Sequence, residues 1–445
     1  MRLKSISVGG FKNLNYTTIR FNSNTIAVIS PNNYGKSNLL EAIGFANDFI
    51  VAGPKMRLNM MSWKNGIPLT PGLANEPFCF EMELEEPQFG EYRYIRYGFS
   101  FQWYRDDGTG QKILDERIEM RPDESIKYSG FLKRNIGKYR RSKSTNAFRN
   151  IVLEDSVLAV DVLSSVEDLE YNNVLQAIRG FRYRVCDALD VNDHFQFTPL
   201  GFADEDDKAI LFNDEDVPRA IYNLKESDPD KYLLFEDAVH TLFPDFLKIN
   251  VQAYDMGAKL EGAHFVVVEN NKIEPQKIDE VPFRIKDTAY RVMITSQYLN
   301  QPVSMSMMSA GTKRIIWLLA NIYIASCTGV SCIGIEELET SIHPRMLKNL
   351  LEIVNEALED TCIIVSSHSP YLVQYLKPVQ IYAGGSPKTG DAQFFPIRAT
   401  KSKILLTAAR AYNLSVGEYL FELMSGGESS FSVLQNYLEV PHNEK

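Results

Sequence analysis

Hydrophobic and polar residues are arranged along this chain in patterns that predict strands and helices of a layered α/β core. Residues 25–29 (TIAVI) form a short apolar run of the kind found in buried parallel strands. Residues 38–49 place their apolar side chains on one helical face. Two further apolar runs, at 332–335 and 361–365, predict additional strands of the same sheet.

The region between these runs has a different pattern. Residues 77–101 alternate between apolar and polar positions, which predicts antiparallel strands, whereas 150–190 and 218–246 carry helical periodicity without a sustained heptad repeat. We therefore expect a compact helical insertion and no long coiled-coil arms. The expected domains are an N-terminal half of the core at 1–104, a mainly helical insertion at 105–281, a C-terminal half of the core at 282–400, and a helical extension at 401–445.

The loop between the first predicted strand and helix has the composition of a phosphate-binding loop. Backbone N–H groups and the helix dipole at such a helix start can surround a β-phosphate. Lys36 would reach the β- and γ-phosphates, and the hydroxyl of Ser37 would ligate Mg²⁺. The alternative is a polar turn before an ordinary helix. The nucleotide-binding residues that we predict here are Ser30, Pro31, Asn32, Asn33, Tyr34, Gly35, Lys36, Ser37 and Asn38.

Two acids and a histidine follow the next predicted strands. Glu336 and Glu337 end the 332–335 strand, where an extended backbone would point them to opposite sides. One carboxylate can hold the hydration shell of Mg²⁺ while the other polarises an attacking water. His368 follows the 361–365 strand, so a parallel sheet brings it to the same edge. The alternatives are solvated surface acids and a structural histidine.

Together these segments resemble the ABC-type ATPases of the SMC, RecF and OLD group, including small prokaryotic AAA-family ATPases of anti-phage defence systems. Residues 30–38 (SPNNYGKSN) are similar to their GPNGSGKSN loop, and 308–314 (MSAGTKR) to their signature motif. Residues 335–344 (IEELETSIHP) are similar to their Walker B segment and D-loop. Residues 6–13 are similar to their opening strand and turn, whose polar residues approach the adenine.

The resemblance implies a fold and a set of roles. The fold is a P-loop ABC-type ATPase head, with a mixed parallel core sheet, an antiparallel β subdomain and a helical insertion. Glu336 takes the place of the metal-binding Walker B acid, Glu337 is the catalytic glutamate, and His368 is the switch histidine. His343 lies in the D-loop. ATP and Mg²⁺ are the implied cofactors.

The resemblance also implies assembly. Ser309, Gly311 and Thr312 of the signature segment would cap the γ-phosphate of ATP bound to a second copy, so that ATP joins a homodimer or a higher homo-oligomer. Three positions depart from the family pattern, because Ser30 replaces glycine, Glu336 replaces aspartate and Leu338 replaces proline. A longer acid and a stiffer loop predict an ATPase with slow turnover.

A second segment imitates a signature motif. Residues 423–428 (LMSGGE) match the transporter form more closely than 308–314 do. In the family, however, the signature precedes Walker B by a single helix, and only the earlier segment has that position. We therefore predict that 425–428 form the N-terminus of a final helix.

Composition limits the remaining possibilities. The chain has 445 residues and a formal charge of −10, which argues against a protein that coats DNA over its whole surface. Its five cysteines form no C-x-x-C pair, which indicates neither a disulfide framework nor a zinc site. No apolar run is long enough for a signal peptide or a membrane span. We expect a cytoplasmic protein without a membrane partner.

One stretch of the predicted insertion is strongly basic. Residues 133–149 hold seven Lys and Arg residues and no acid, with Phe131, Tyr139 and Phe148 nearby. Such a stretch could bind nucleic acid or an acidic partner, and the alternative is a solvated loop. Acidic runs at 204–207 and 214–216 could complement it within the oligomer.

These observations predict an ATP-hydrolysing enzyme that dimerises around ATP. The biological role that we expect is the sensor or scaffold ATPase of an anti-phage defence system, controlling a separately encoded effector. The alternative is a RecF-like DNA-repair ATPase. The region after His368 is too short, and lacks the acidic pattern, for a TOPRIM nuclease domain.

Overall fold

The computed structural model describes most of the chain. The described residues are 1–86, 91–105, 107–142, 147–167, 169–187, 191–196, 200–202, 216–255, 265–269, 272–276, 283–285, 288–385 and 390–440. The strands are β1 Arg2–Gly9, β2 Thr17–Arg20, β3 Thr25–Ile29, β4 Phe78–Glu85, β5 Tyr94–Gln102, β6 Lys112–Arg121, β7 Ser129–Lys133, β8 Lys138–Tyr139, β9 Arg149–Asn150, β10 Tyr183–Cys186, β11 Leu200–Phe202, β12 Phe246–Asp255, β13 Phe265–Glu269, β14 Lys272–Gln276, β15 Phe283–Ile285, β16 Thr288–Ser296, β17 Val303–Ser304, β18 Cys332–Glu336, β19 Cys362–Ser367, β20 Ile381–Ala383 and β21 Phe395–Pro396. The α-helices are α1 Lys36–Val51, α2 Pro54–Met61, α3 Ala159–Leu163, α4 Asn172–Arg179, α5 Val217–Ser227, α6 Pro229–Leu242, α7 Ala310–Thr328, α8 Pro344–Ala357, α9 Pro370–Val373, α10 Ser402–Ala411, α11 Val416–Ser425 and α12 Gly427–Gln435.

The chain divides into two compact units. The first comprises Met1–Asp187, Val330–Glu339 and Asp360–Lys445, and the second comprises Ala188–Gly329 and Thr340–Glu359. No helix in the described part of the chain combines the length and the apolar character that crossing a bilayer requires.

The first unit contains a six-stranded mixed sheet with the order β10-β18-β19-β3-β20-β21. Five of these strands are parallel, and β21 pairs with β20 in the antiparallel direction. The strands β3 and β19 are buried along their whole length, as their apolar sequences predict. Because β19 lies between β18 and β3, the three strands end side by side at one edge of the sheet.

A second, antiparallel sheet completes this unit, with the order β2-β1-β4-β5-β6-β7-β8-β9. Burial alternates strictly along β4, which confirms the predicted alternation in this region. Helix α1 packs on this sheet through aromatic rings: Phe45 lies 5.1 Å from Phe78, and Phe49 lies 4.9 Å from Phe101, measured between ring centroids. These contacts attach the helix that follows the phosphate-binding loop to the antiparallel sheet.

The expected start of the insertion, at residue 105, falls inside this antiparallel sheet. Strands β5 and β6 flank that position and are paired in register from Tyr94 opposite Arg121 to Gln102 opposite Lys112. Each strand supplies the backbone hydrogen-bond partners of the other, so the two belong to one folding unit. The first unit accordingly continues to Asp187.

Two buried residues with ionisable side chains make internal links in the first unit: Glu116 joins the antiparallel sheet to α3, and Arg57 joins α2 to α1. Glu116 on β6 is fully buried and accepts hydrogen bonds from the backbone N–H groups of Ala159 (2.5 Å) and Val160 (3.2 Å) at the start of α3. Arg57 is also fully buried, and it donates to the carbonyls of Phe49 (2.8 Å) and Ile50 (3.0 Å) in the last turn of α1. These side chains satisfy backbone groups that helix ends otherwise leave unpaired.

The second unit combines helices with strands. Residues 105–281, for which we predicted a mainly helical insertion, also contain strands β6 to β14. Helices α5 and α6 begin at aspartate caps, Asp216 and Asp228, and a three-stranded sheet has the order β12-β16-β17. Helix α7 is buried along most of its length and contacts α5, α6 and α8. It ends at Gly329, whose φ of 68° lies in the left-handed region that favours glycine at such an end.

The C-terminal residues form the expected helical extension, α10 to α12. Leu405, Leu420 and Leu434 from these three helices are buried against Ile29 and Ile381 of the mixed sheet. Helix α11 ends at Ser425, and α12 begins at Gly427. The LMSGGE segment is therefore a junction at the start of the last described helix, which confirms that prediction.

Candidate nucleotide-binding site

The loop between β3 and α1 contains two residues with positive φ, Asn33 and Gly35. Gly35 precedes α1 with φ 127°, and a Cβ atom there would lie 2.7 Å from the Cβ of Ala392 and 2.8 Å from Oδ1 of Asn13. Only glycine fits this position without displacing its neighbours. Asn33 also has positive φ, at 59°, which asparagine tolerates. The predicted order of strand, loop and helix is confirmed.

Lys36 is held across this loop. Its Nζ donates to the carbonyl oxygens of Ser30 (3.0 Å) and Pro31 (3.2 Å), at the beginning of the loop. Burial lowers the pKa of Lys36, while the nearby carboxylates Glu337, Glu339 and Glu336 act in the opposite direction. An incoming phosphate would add further negative charge beside this ammonium group and stabilise its charged form.

Asn13, the last residue of the 6–13 segment, fixes the outer side of the loop. Asn13 donates through Nδ2 to the carbonyl of Tyr34 (2.9 Å), and its Oδ1 accepts from Nδ2 of Asn38 (2.7 Å). The hydroxyl of Tyr34 donates to the carbonyl of Gln393 (3.2 Å), and its ring meets Phe394 edge-on. The loop is therefore anchored by the first turn of the chain and by a segment near its end.

Glu337 and His368 lie within ion-pair distance of each other at the edge of the mixed sheet. Nδ1 of His368 lies 3.0 Å from Oε1 of Glu337, and both side chains are partly exposed. Strand β18 ends at Glu336, and Glu337 adopts φ 47° with its N–H bonded to the carbonyl of Ser366 (2.9 Å). The expectation that Glu336 and Glu337 alternate on one extended backbone is wrong, because a left-handed residue turns the chain at 337. This turn gives Glu337 the direction that reaches His368.

A third carboxylate, which sequence reasoning missed, supports the histidine turn. Oγ of Ser367 donates to Oε1 of Glu339 (2.6 Å) and accepts from the N–H of Ser369 (3.0 Å). The other carboxylate oxygen of Glu339, Oε2, is buried and has no hydrogen-bond partner among the described residues. Burial raises the pKa of Glu339. The spacing E-E-x-E was the signal in the sequence, since it returns a second acid to the same side of the turn.

The signature and D-loop residues belong to the second unit. Ser309 caps α7, with its Oγ accepting from the N–H of Thr312 (3.2 Å) and lying 2.8 Å from the Thr312 hydroxyl. A Cβ atom on Gly311 would lie 2.4 Å from the carbonyl oxygen of Ser341. His343 caps α8, with Nδ1 accepting from the N–H of Arg345 (3.2 Å). Each of these residues therefore has a structural role within its own chain.

The first unit brings together the donors that a magnesium nucleotide needs. The hydroxyl of Ser37 and the carboxylate of Glu336 are hard oxygen ligands of the kind that Mg²⁺ prefers, and such sites use one or two protein ligands together with phosphates. Gly35 keeps the loop backbone free of a side chain directly before α1, where successive N–H groups can bind phosphate oxygens. The residues present therefore fit both ATP and Mg²⁺.

Solved SMC heads are similar to this chain at low sequence identity. The SMC head bound to the C-winged helix domain of ScpA is 13% identical, covers 90% of this chain and 99% of its own, and has a TM-score of 0.49. The head domain from Thermotoga maritima is 13% identical, covers 90% and 100%, and has a TM-score of 0.41. The head from Pyrococcus furiosus, bound to the C-terminal domain of ScpA, is 13% identical, covers 92% and 99%, and has a TM-score of 0.45.

No curated protein sequence matches this chain. One family model does, over residues 27–374, a span that contains the phosphate-binding loop, the signature segment, both acids and His368. It predicts a P-loop ATPase, in agreement with the fold class inferred from the sequence. The chain belongs to the family described as "AAA domain, putative AbiEii toxin, Type IV TA system".

Proposed function

We propose that this protein hydrolyses ATP slowly with Mg²⁺, dimerises around the nucleotide, and thereby controls a separately encoded effector in anti-phage defence. One observation supports the chemistry above all others. Lys36, Glu337 and His368 follow three neighbouring parallel strands of one sheet, and Nδ1 of the histidine lies 3.0 Å from a carboxylate oxygen of the acid. Phosphoryl transfer needs this combination of a cation, a water-orienting acid and a polar partner.

Each residue has a distinct task in the proposed reaction. Lys36 neutralises charge on the transferred phosphoryl group, and Glu337 takes the proton of the attacking water. His368 holds the Glu337 carboxylate in position until the γ-phosphate offers a second hydrogen-bond acceptor. Ser37 and Glu336 would hold Mg²⁺, which when bound supplies charge neutralisation at the phosphates.

The dimer is proposed on the signature segment. Ser309, Gly311 and Thr312 would cap the γ-phosphate of ATP bound to a second copy, so that hydrolysis removes a group that both copies contact. A ligand shifts an equilibrium only if it binds the two states with different affinity. In this proposal ATP favours the dimer over the monomer because both copies contact its γ-phosphate, which ADP lacks. Higher homo-oligomers would be built on the same contact.

The biological role is proposed from the family. Its description names a toxin and a TA system. We propose by analogy that an ATP-dependent dimer of this protein controls a separate effector in the cytoplasm. The native partner should co-purify in a fixed ratio and dissociate, or change its activity, when ATP is hydrolysed.

The decisive test of the chemistry is Glu337→Gln. The amide keeps the shape of the side chain but cannot accept the water proton, so hydrolysis should fall by about 10²- to 10⁴-fold while ATP binding persists. The ATP-bound dimer should accumulate, as measured by light scattering after size-exclusion chromatography. The control is Glu124→Gln, which removes an exposed carboxylate from the first unit. Hydrolysis at the wild-type rate by Glu337→Gln would exclude Glu337 as the base.

A further inference from the structure

A single row of side chains crosses one face of the antiparallel sheet. In register, Glu81 on β4 lies opposite Gly98 on β5, Gly98 opposite Arg117 on β6, Arg117 opposite Lys133 on β7, and Lys133 opposite Lys138 on β8. Directly opposed residues of antiparallel strands point to the same face, with Cβ atoms about 4.5–5.5 Å apart. Three basic side chains therefore stand next to one another at the outer end of this row.

The inner part of the same face is electrically matched. Arg117 forms an ion pair with Glu81, and Gly98 between them leaves the path free because it has no side chain. In the neighbouring rows, Arg121 bonds Glu83 at 3.1 Å. The arginines of β6 therefore use their charge within the sheet.

The outer part is unmatched. Lys133 and Lys138 are exposed and directly opposed, and like charges in this arrangement destabilise a strand pair. Arg149 on β9 lies opposite the buried Tyr139 and therefore points to the other face of the sheet. In the part of the chain that the structure describes, neither Lys133 nor Lys138 lies within ion-pair distance of a carboxylate. We call Lys133 and Lys138 the basic edge.

The aromatic residues of this region do not face the solvent as a stacking surface. Phe131 and Tyr139 are buried in the core, and the ring of Phe148 is covered by the guanidinium of Arg140 at 4.2 Å. Arg134 makes a hydrogen bond within the protein, because it donates to the carbonyl of Glu154 at 2.7 Å. Single-stranded nucleic acids are held by exposed aromatic rings, so the structure argues against that class of ligand.

We propose that the basic edge binds the phosphate backbone of a duplex nucleic acid. Adjacent strands lie about 4.8 Å apart, so flexible lysines on neighbouring strands can reach separate phosphates of one backbone. A neighbouring phosphate also removes the repulsion between Lys133 and Lys138. Binding is independent of base sequence, because backbone contacts carry no sequence information. This ligand goes beyond the ATPase function, and its binding is measured without reference to hydrolysis.

The test measures salt dependence. A fluorescent 30-base-pair DNA duplex, and an RNA duplex of the same sequence, are titrated with the full-length protein at several NaCl concentrations. The plot of log binding constant against log salt concentration has a negative slope, and its magnitude falls by about 0.9 for each phosphate that the protein no longer neutralises. Lys133→Gln/Lys138→Gln should therefore reduce the slope by about 1.8, for any base sequence. The DNA and RNA arms identify which duplex is the better ligand.

Two controls separate a binding role from a folding defect. Lys55→Gln/Lys112→Gln removes the same charge from exposed positions elsewhere and should leave the slope unchanged. The melting temperature of Lys133→Gln/Lys138→Gln should equal or exceed the wild-type value, since a like-charge contact is relieved, and its ATPase rate should be that of the wild type. Absence of duplex binding by the wild type, an unchanged slope in the variant, or loss of an acidic protein partner without any duplex binding would each overturn the proposal.

Discussion

Glu116→Gln tests the cost of the buried carboxylate that joins the antiparallel sheet to α3. Burial raises the pKa of Glu116 from 4.5 to about 7, although two backbone N–H groups donate to it. The folded protein therefore binds the proton more tightly than the unfolded chain. Wild-type stability must fall as the pH rises from about 4.5 to about 7, and above that range the full cost of the buried, ionised carboxylate is present. At 1.36 kcal/mol per pKa unit, the whole effect is roughly 3 kcal/mol.

The measurement is urea denaturation of wild type and variant at pH 5, 6, 7 and 8. All other titrating groups are common to both proteins, so the difference in their free energies of unfolding isolates Glu116. This difference should change by about 2.5 kcal/mol between pH 5 and pH 8, with the wild type losing stability relative to the variant. Glu119→Gln, on the same strand, controls for loss of a carboxylate. A difference that stays constant with pH would refute the reasoning.

The remaining predictions concern catalysis and assembly. Ser367→Ala removes the 2.6 Å hydrogen bond to Glu339 and frees the His368 turn, so kcat should fall by roughly 10-fold with little change in KM, because a charged hydrogen bond contributes about 1.5–3 kcal/mol. An equal fall in ATP affinity, measured by calorimetry, would instead indicate general damage to the site. Ser309→Lys should abolish ATP-dependent association while monomers retain ATP binding, as seen by light scattering, with Ser306→Lys as the control three residues earlier. If Ser309→Lys dimerises at the same ATP concentrations as the wild type, the proposed contact between the signature segment and the partner's γ-phosphate is excluded.

The elements that could be predicted from sequence are those determined by local patterns. Local patterns of about ten residues were enough to predict the strand before Ser30, the helix after Gly35 and the strand before His368. A parallel sheet then aligns the ends of the strands. The pairing of β19 with both β18 and β3 follows from the same alignment.

Contacts between distant segments could not be predicted in this way. Asn13 donates to the carbonyl of Tyr34 only because two turns meet in the fold. Glu339 and Ser367 are 28 residues apart, so no local pattern predicts their hydrogen bond. The left-handed turn at Glu337 depends on a backbone bond to Ser366 of the next strand, which no local propensity encodes. The sheet also continues past residue 105, because weakly patterned strands are recruited by their neighbours.

Gly311 packs closely against Ser341, so a glycine at this position in a related sequence is explained by packing and does not by itself indicate ATP binding. A Cβ atom at 311 would lie only 2.4 Å from the carbonyl oxygen of Ser341, so packing within this chain excludes a side chain at this position. A glycine here would therefore persist even in a relative that had lost ATP binding, and its presence cannot serve to diagnose an active ATPase. Ser309, whose hydroxyl is exposed and whose capping role threonine, aspartate or asparagine could replace, is the more informative position. A chain that keeps glycine at 311 but carries an aspartate at 309 would retain the capped start of α7, and under the proposed dimer contact its carboxylate would repel a γ-phosphate.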